Sequence, residues 1–294
     1  MIWVIGNKGM LGRELSEALS AAGIPHVGSD RDLSILEPRG LEDFGRMAGS
    51  AWIVDCAAYT AVDRAEDEPD AAAALNAEGP EVLGRVAAAI GARALHISTD
   101  YVFGAGGSVP FREDDPVSPV GVYARTKAAG ESRLLAVAPN AVVLRTAWLY
   151  GRHGPNFVST MLRLMGEREE LGVVADQYGS PTWARDLARA IVAIVRPQTS
   201  IPAGVYHFTD EGAISWYDFA IAIERKAREL GLLSRPCHVR PITSAEYPTK
   251  AQRPSYSVLS KEKIKAALGL SIPPWEDSLR NFLIDLGEAH GTRI

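Results

Sequence analysis

Nine tyrosines occur in the chain, and only Tyr123 has a lysine four residues later, in Tyr123-Ala124-Arg125-Thr126-Lys127. On a helix, positions i and i+4 share one face. An ammonium beside a phenol stabilises the phenolate and draws a pKa of about 10 toward neutrality. A tyrosine in that setting can exchange a proton with an alcohol or carbonyl oxygen while hydride moves at the carbon. The spacing also arises by chance on helix surfaces, so it needs a second observation. Leu95-His96-Ile97-Ser98-Thr99-Asp100-Tyr101-Val102-Phe103 supplies it. An apolar run there delivers two hydroxyls, Ser98 and Thr99, to the carboxyl end of a strand, where open α/β sheets bind ligands. Either hydroxyl can hydrogen-bond a carbonyl and turn it toward Tyr123.

A third feature lies upstream of both. Gly6-Asn7-Lys8-Gly9-Met10-Leu11-Gly12 is a GxxGxxG turn between the apolar run Ile2 to Ile5 and the amphipathic segment Leu11 to Ala21. Such glycines make a tight turn, let backbone approach a pyrophosphate and let the helix pack close to the strand. The unpaired N–H groups and positive dipole end of that helix then face the phosphates. Gly6, Gly9, Met10 and Leu11 are therefore the candidate phosphate cradle of a nicotinamide dinucleotide. About 20 residues further on, the end of a second strand should read the adenosine ribose. Asp30-Arg31-Asp32-Leu33 stands there. An acidic residue favours the free 2′-hydroxyl of NADH and Arg31 favours the 2′-phosphate of NADPH, so both cofactors fit.

These residues require a parallel sheet to hold them. Short apolar runs recur at His26-Val27, Trp52 to Val54, Ala94 to Ile97 and Val142 to Leu144. Helical segments separate several of them, such as Pro69 to Leu75 and Pro80 to Ile90, with Gly91 at the expected helix stop. Strand and helix alternating at this spacing predict βαβ units, a Rossmann-type doubly wound sheet. After about Tyr150 the texture turns irregular, with a short helix over Asn156 to Gly166, a proline-rich stretch from Pro236 to Pro254 and a last helix from Trp275. Residues 1–150, with 182–210 returning to them, are expected to form the cofactor domain. Residues 151–181 and 211–294 are expected to form a smaller, irregular α/β substrate domain.

Composition narrows the setting. With 31 Lys and Arg against 36 Asp and Glu, the net charge of −5 argues against a nucleic-acid partner. No run approaches the roughly 18 apolar residues that span a bilayer. The N-terminus lacks the basic and apolar regions of a signal peptide. Cys56 and Cys237 stand far apart without metal spacing, which fits a reducing cytoplasm.

Over nearly its whole length the chain resembles the dTDP-4-dehydrorhamnose reductase family of the extended short-chain dehydrogenase/reductases. Beside the motifs above, the likeness is carried by Ala57-Ala58-Tyr59-Thr60-Ala61-Val62-Asp63, Pro110-Phe111-Arg112-Glu113 and Arg145-Thr146-Ala147-Trp148-Leu149-Tyr150. It continues through Asp176-Gln177-Tyr178-Gly179-Ser180-Pro181-Thr182, Tyr206-His207-Phe208, Ser215-Trp216 and Arg253-Pro254. The resemblance implies Thr99, Tyr123 and Lys127 as the catalytic set, with Lys127 also on the nicotinamide ribose, and Ala57, Ala58 and Tyr59 along the cofactor. It implies Ser98, Thr99, Asp100, Tyr101, Trp148, Gln177 and Arg253 at the substrate, Arg253 at its phosphates. Dehydratases of this fold carry an acid pair after the Ser/Thr, whereas here Tyr101 follows Asp100, which fits carbonyl reduction better than elimination.

The activity so implied is reduction of the C4 carbonyl of a nucleotide-linked 4-keto-6-deoxysugar by NADPH or NADH, such as dTDP-4-dehydro-L-rhamnose to dTDP-L-rhamnose. A related reductase or epimerase, or a cofactor-binding regulatory subunit without turnover, are the alternatives. Some members of the family join two subunits through a metal held by acidic residues. Glu14 matches one of these but Arg185 stands in place of the other, and a cation there repels a metal. No metal is expected, and a monomer or weak homodimer is.

Overall fold

The computed structural model describes residues 1–104 and 106–289. Its first half runs β1 (Ile2–Ile5), α1 (Met10–Ala21), β2 (His26–Ser29), α2 (Pro38–Ala48), β3 (Trp52–Asp55), α3 (Val62–Ala65) and α4 (Pro69–Ala73). It continues with α5 (Gly79–Ile90), β4 (Arg93–Thr99), α6 (Gly121–Val137) and β5 (Val142–Thr146). The second half holds β6 (Leu149–Tyr150), α7 (Phe157–Glu167), β7 (Glu170–Val174), β8 (Tyr178–Gly179), β9 (Thr182–Trp183) and α8 (Ala184–Val195). Then follow β10 (Gly204–His207), β11 (Ile214–Ser215), α9 (Trp216–Glu229), β12 (His238–Ile242), α10 (Glu262–Leu268) and α11 (Trp275–Ala289).

Six strands form one parallel sheet in the order β10-β5-β4-β3-β1-β2. A parallel sheet covered on both faces needs strands that are apolar throughout, and β1, β3 and β5 are buried at every position. On one face Leu11, Leu15 and Leu19 of α1 meet Leu187 and Ile191 of α8 against the strands. On the other, Leu41, Leu83, Val86 and Leu134 pack from α2, α5 and α6. Strand order reverses between β1 and β3, and open α/β sheets bind ligands at such a switch point. The chain returns to the sheet at β10, whose Gly204 to His207 pair in register with Val142 to Arg145 of β5. A separate core of Tyr150, Val158, Phe219, Ile223, Leu279 and Phe282 joins the later helices. This is the Rossmann-type doubly wound α/β fold, with a smaller α/β assembly beyond the carboxyl ends of its strands. Among the described residues, no helix is long and apolar enough to cross a membrane.

One local difference from the sequence reading bears on the site. The helices expected over Pro69 to Leu75 and Pro80 to Ile90 are joined by a π-helical turn, Ala74–Glu78. Widened turns of this kind frequently mark functional sites. Here Asn76, fully buried inside it, accepts a hydrogen bond from Tyr59 N at 2.9 Å and donates to Tyr59 O at 3.1 Å. It also reaches Thr126 Oγ1 on α6 at 3.3 Å. Helix α6 comes this close because its residue 130 is glycine: a Cβ there would lie 2.0 Å from Asn76 O.

Candidate active site

The glycine turn is shaped by close backbone approaches. Gly6 has φ +74°, and a Cβ on Gly12 would lie 2.1 Å from Gly6 O. Helix α1 then begins with no side-chain cap and no acidic residue in its first turn. Its leading N–H groups therefore remain for an external anion. Above the switch point lies a cavity of about 700 Å³, walled by Gly6, Gly9, Asp30, Arg31, Leu33, Ala57 and Ala58 among others. It shares Gly9, Cys56, Ala57 and Ala58 with a second cavity of about 530 Å³. A dinucleotide bound across the two cavities would be held through its diphosphate by the N–H groups that open α1.

Asp30 accepts from Lys8 N at 3.1 Å and from Arg31 N at 2.8 Å, so its carboxylate is partly spent on shaping the turn. Asp32 is exposed and is not among the residues that wall the cavity. Its carboxylate instead accepts from Asp30 N at 3.2 Å and faces Lys8 Nζ at 3.6 Å. The aromatic ring of Tyr59 is likewise turned away, its hydroxyl donating to Glu68 at 2.7 Å, while its backbone is held by Asn76.

Met10, Leu11, Ser98, Thr99, Asp100, Tyr101, Tyr123, Lys127 and Trp148 all line the second cavity. Strand β4 delivers the hydroxyls, and a short 3-10 turn over Asp100–Val102 follows at once. Thr99 Oγ1 donates to Asp100 Oδ1 at 3.0 Å, accepts from Tyr101 N at 3.2 Å and lies within hydrogen-bonding reach of the Tyr123 phenol. Ser98 Oγ is buried without a protein partner. Burial pushes the Asp100 carboxyl up to about 6 against the hydrogen bonds it accepts. Tyr101 meets Tyr123 edge-on, with ring centroids 5.8 Å apart.

The expected pairing of phenol and ammonium is not what the structure displays. Burial pushes Tyr123 up to about 12, only partly opposed by Thr99. Lys127 does not bring it down, because its Nζ is engaged elsewhere: it donates to Ile97 O at 2.6 Å and meets His96 Nε2 at 3.0 Å. Burial lowers Lys127 to about 8, while Asp55 and Glu131 hold it up. Tyr123 is thus a protonated donor at neutral pH, and Lys127 an ammonium close to its own titration.

Trp148 is the only non-glycine residue with positive φ, 46°, among those described. Its ring stacks on Trp216 at 3.5 Å between centroids and 9° between planes, and Gly179 leaves room for it, since a Cβ there would lie 2.5 Å away. Such a backbone conformation is costly for a bulky residue and persists where packing enforces it, often at ligand sites. Two other expected substrate contacts are engaged elsewhere and do not line the cavity. Gln177 Nε2 donates to Ser244 Oγ at 2.9 Å, and Arg253 Nη2 donates to Asp63 Oδ2 at 2.9 Å. That ion pair, with Ala251 N on Asp63 Oδ1 at 3.0 Å, ties the 250s to the start of α3. At the position set against a bridging metal, Arg185 bonds Glu14 at 3.2 Å and Asp285 at 2.9 Å within the same chain.

Sequence reading gave no site role to Asp55, His96, Asn76 or Trp216. The first two were signalled by position: His96 is two residues before Ser98 in one strand, and Asp55 sits opposite it in register. Asn76 gave no signal, because a π-helical turn inside an alanine-rich helix has no spacing of its own.

With the geometry in hand, likeness to known proteins is specific. The model of the RmlD substrate binding domain matches residues 1–287. A dTDP-4-dehydrorhamnose reductase of Streptomyces griseus is 44% identical over 270 residues, covering 90% of this chain and 87% of the relative. The crystal structure of a dTDP-4-dehydrorhamnose reductase from Clostridium acetobutylicum superposes with TM-score 0.90 at 38% identity, covering 98% of this chain and 99% of that one. One from Bacillus anthracis, solved in complex with NADP, gives TM-score 0.90 at 34% identity, over 97% and 98% of the two chains. The chain belongs to the RmlD family.

Proposed function

We propose that the protein reduces the C4 carbonyl of a nucleotide-linked 4-keto-6-deoxysugar with NADPH or NADH, converting dTDP-4-dehydro-L-rhamnose to dTDP-L-rhamnose. The observation that carries this reading is one cavity wall bearing Thr99, Tyr123 and Lys127, continuous with the uncapped N-terminus of α1. Relatives that cover nearly the whole chain carry the same activity in their names. Bound reduced nicotinamide supplies the hydride. The chain supplies the proton and the alignment. Tyr123, held protonated by burial, donates its phenolic proton to the oxygen that gains charge. The free hydroxyl of Ser98 hydrogen-bonds that oxygen and fixes its direction, and Thr99 joins it once its proton turns from Asp100. Lys127 places a positive charge on the same wall, with one donor left for a bound group.

We assign cofactor binding to residues 1–150 and 182–210, and substrate recognition to 151–181 and 211–294. The stacked Trp148 and Trp216 give the cavity an apolar side, suited to a sugar carbon that bears a methyl in place of a hydroxyl. The test is product analysis: protein, reduced cofactor and dTDP-4-keto-6-deoxysugar generated in place, resolved by chromatography. A dTDP-deoxyhexose formed with one cofactor oxidised per sugar supports a reductase. Turnover without net cofactor consumption makes it an epimerase. Cofactor binding with no product makes it a binding protein.

A further inference from the structure

Behind the cavity, Lys127 is joined in a buried chain by two ionisable side chains from two other elements that the proposed proton transfer does not use. Asp55 ends β3, His96 lies within β4 and Lys127 within α6, and they are 3%, 1% and 1% exposed. Asp55 Oδ2 stands 2.7 Å from His96 Nδ1, and His96 Nε2 stands 3.0 Å from Lys127 Nζ. Ala57 N donates to the other oxygen, Asp55 Oδ1, at 3.1 Å. We propose that Asp55 and His96 are positioning residues for Lys127, fixing one tautomer of the imidazole and holding the lysine ammonium in place and charged.

Hydrogen-bond polarity leaves one consistent assignment. An ammonium only donates, so His96 Nε2 must carry a lone pair. The ring proton then sits on Nδ1 and is donated to Asp55, which as a carboxylate only accepts. Two donors of Lys127 are thereby taken, by His96 and by Ile97 O. The third is left for the cavity that Lys127 lines. A carboxylate that orients an imidazole and fixes its tautomer is the logic of a catalytic triad, with a lysine in the place of the nucleophile.

The charges support the arrangement. Burial disfavours an ammonium, and it is Asp55 on β3 and Glu131 on α6 that oppose this at Lys127. Glu131 is already bound to Arg145 of β5 through two hydrogen bonds, at 2.9 and 2.7 Å. Asp55 is therefore the carboxylate whose charge reaches Lys127 uncompensated. The other groups at hand are neutral: Tyr123 on α6 is a protonated phenol. Cys56, next to Asp55, is held as a thiol by burial. His96 is kept from protonation first by burial and then by Lys127 itself.

The inference rests on the reductase reading only for what Lys127 does in catalysis, and its test needs no substrate. In the wild-type protein, long-range 1H–15N spectra assigned through the backbone should show His96 as a neutral imidazole protonated on Nδ1. That state should persist through the ordinary histidine pKa of about 6.5. An Nε2-protonated ring, or an imidazolium at neutral pH, would overturn the proposal whether or not any variant folds. In Asp55→Asn, checked for folding by its melting curve, the NMR titration of the Lys127 side chain should move down by about 1 pH unit. Lys127 titrating at the wild-type pH in the folded variant would also overturn it. A correct tautomer and a shifted titration in a protein that reduces no keto-sugar would instead keep this arrangement and discard the reductase.

Discussion

Replacing Asn76 by alanine removes the clamp that joins the cofactor loop to the catalytic helix, and its cost can be worked from the contacts. Three side-chain hydrogen bonds are lost, to Tyr59 N, Tyr59 O and Thr126 Oγ1. Two of them leave backbone groups of Tyr59 without those partners. An unpaired polar group costs about 1–3 kcal/mol when buried. Tyr59 is only half-buried, so the lower part of that range applies, and the sum is about 2–4 kcal/mol. For a chain of 294 residues that is a fall in Tm of roughly 3–6 °C. The assay is thermal and urea unfolding of wild type, Asn76→Ala and the near-isosteric Asn76→Asp. Aspartate preserves volume and can still accept from Tyr59 N, but it faces Tyr59 O with an acceptor. It should therefore lose at least as much as alanine. A variant pair melting within about 2 °C of wild type, or an aspartate that is tolerated while alanine is not, would refute the clamp.

Three further outcomes are expected. Tyr123→Phe should lower turnover by about 10²–10⁴-fold while cofactor affinity, read by fluorescence titration, stays close to wild type; undiminished turnover would remove Tyr123 as the proton donor. Turnover should fall as pH rises through about 8, where Lys127 loses its charge, and by about tenfold for each further unit. Tyr123, protonated up to about 12, contributes nothing to that limb, so a profile flat to well above pH 8 would dissociate Lys127 from the chemistry. Glu131→Gln leaves the Arg145 guanidinium buried beside His207 and Phe103 without its carboxylate. Urea unfolding should register a loss of about 3–5 kcal/mol, and a change below about 1 kcal/mol would mean that water reaches Arg145.

The parts of the fold legible in the sequence were those set by local pattern. β1 and its glycine turn were readable because a run apolar at every position followed by GxxGxxG has few other solutions. Gly91 was readable as a helix stop for the same reason, and it adopts φ +75° as a left-handed cap. In the site, Thr99, Tyr123 and Lys127 could be grouped because two lie one helical turn apart and the third ends a strand. What stayed hidden depends on contacts between distant segments. The i+4 spacing puts Tyr123 and Lys127 on one face but does not say which partner the lysine takes, and His96 on the neighbouring strand takes it. The resemblance implied Arg253 at the substrate phosphates but could not show that Asp63, 190 residues away, also bonds it. Trp216 entered the reading only as part of the family likeness, because its place in the cavity depends on the unusual backbone of Trp148, which no residue pattern announces.

The most direct measurement follows a labelled hydride. Reduced cofactor carrying deuterium at the transferring position of the nicotinamide is mixed with the protein and dTDP-4-keto-6-deoxysugar, and the product is read by mass spectrometry and NMR. The proposed function predicts one deuterium at C4 of the sugar and one cofactor oxidised per sugar reduced. Cofactor that binds but is neither oxidised nor relieved of its label would contradict it.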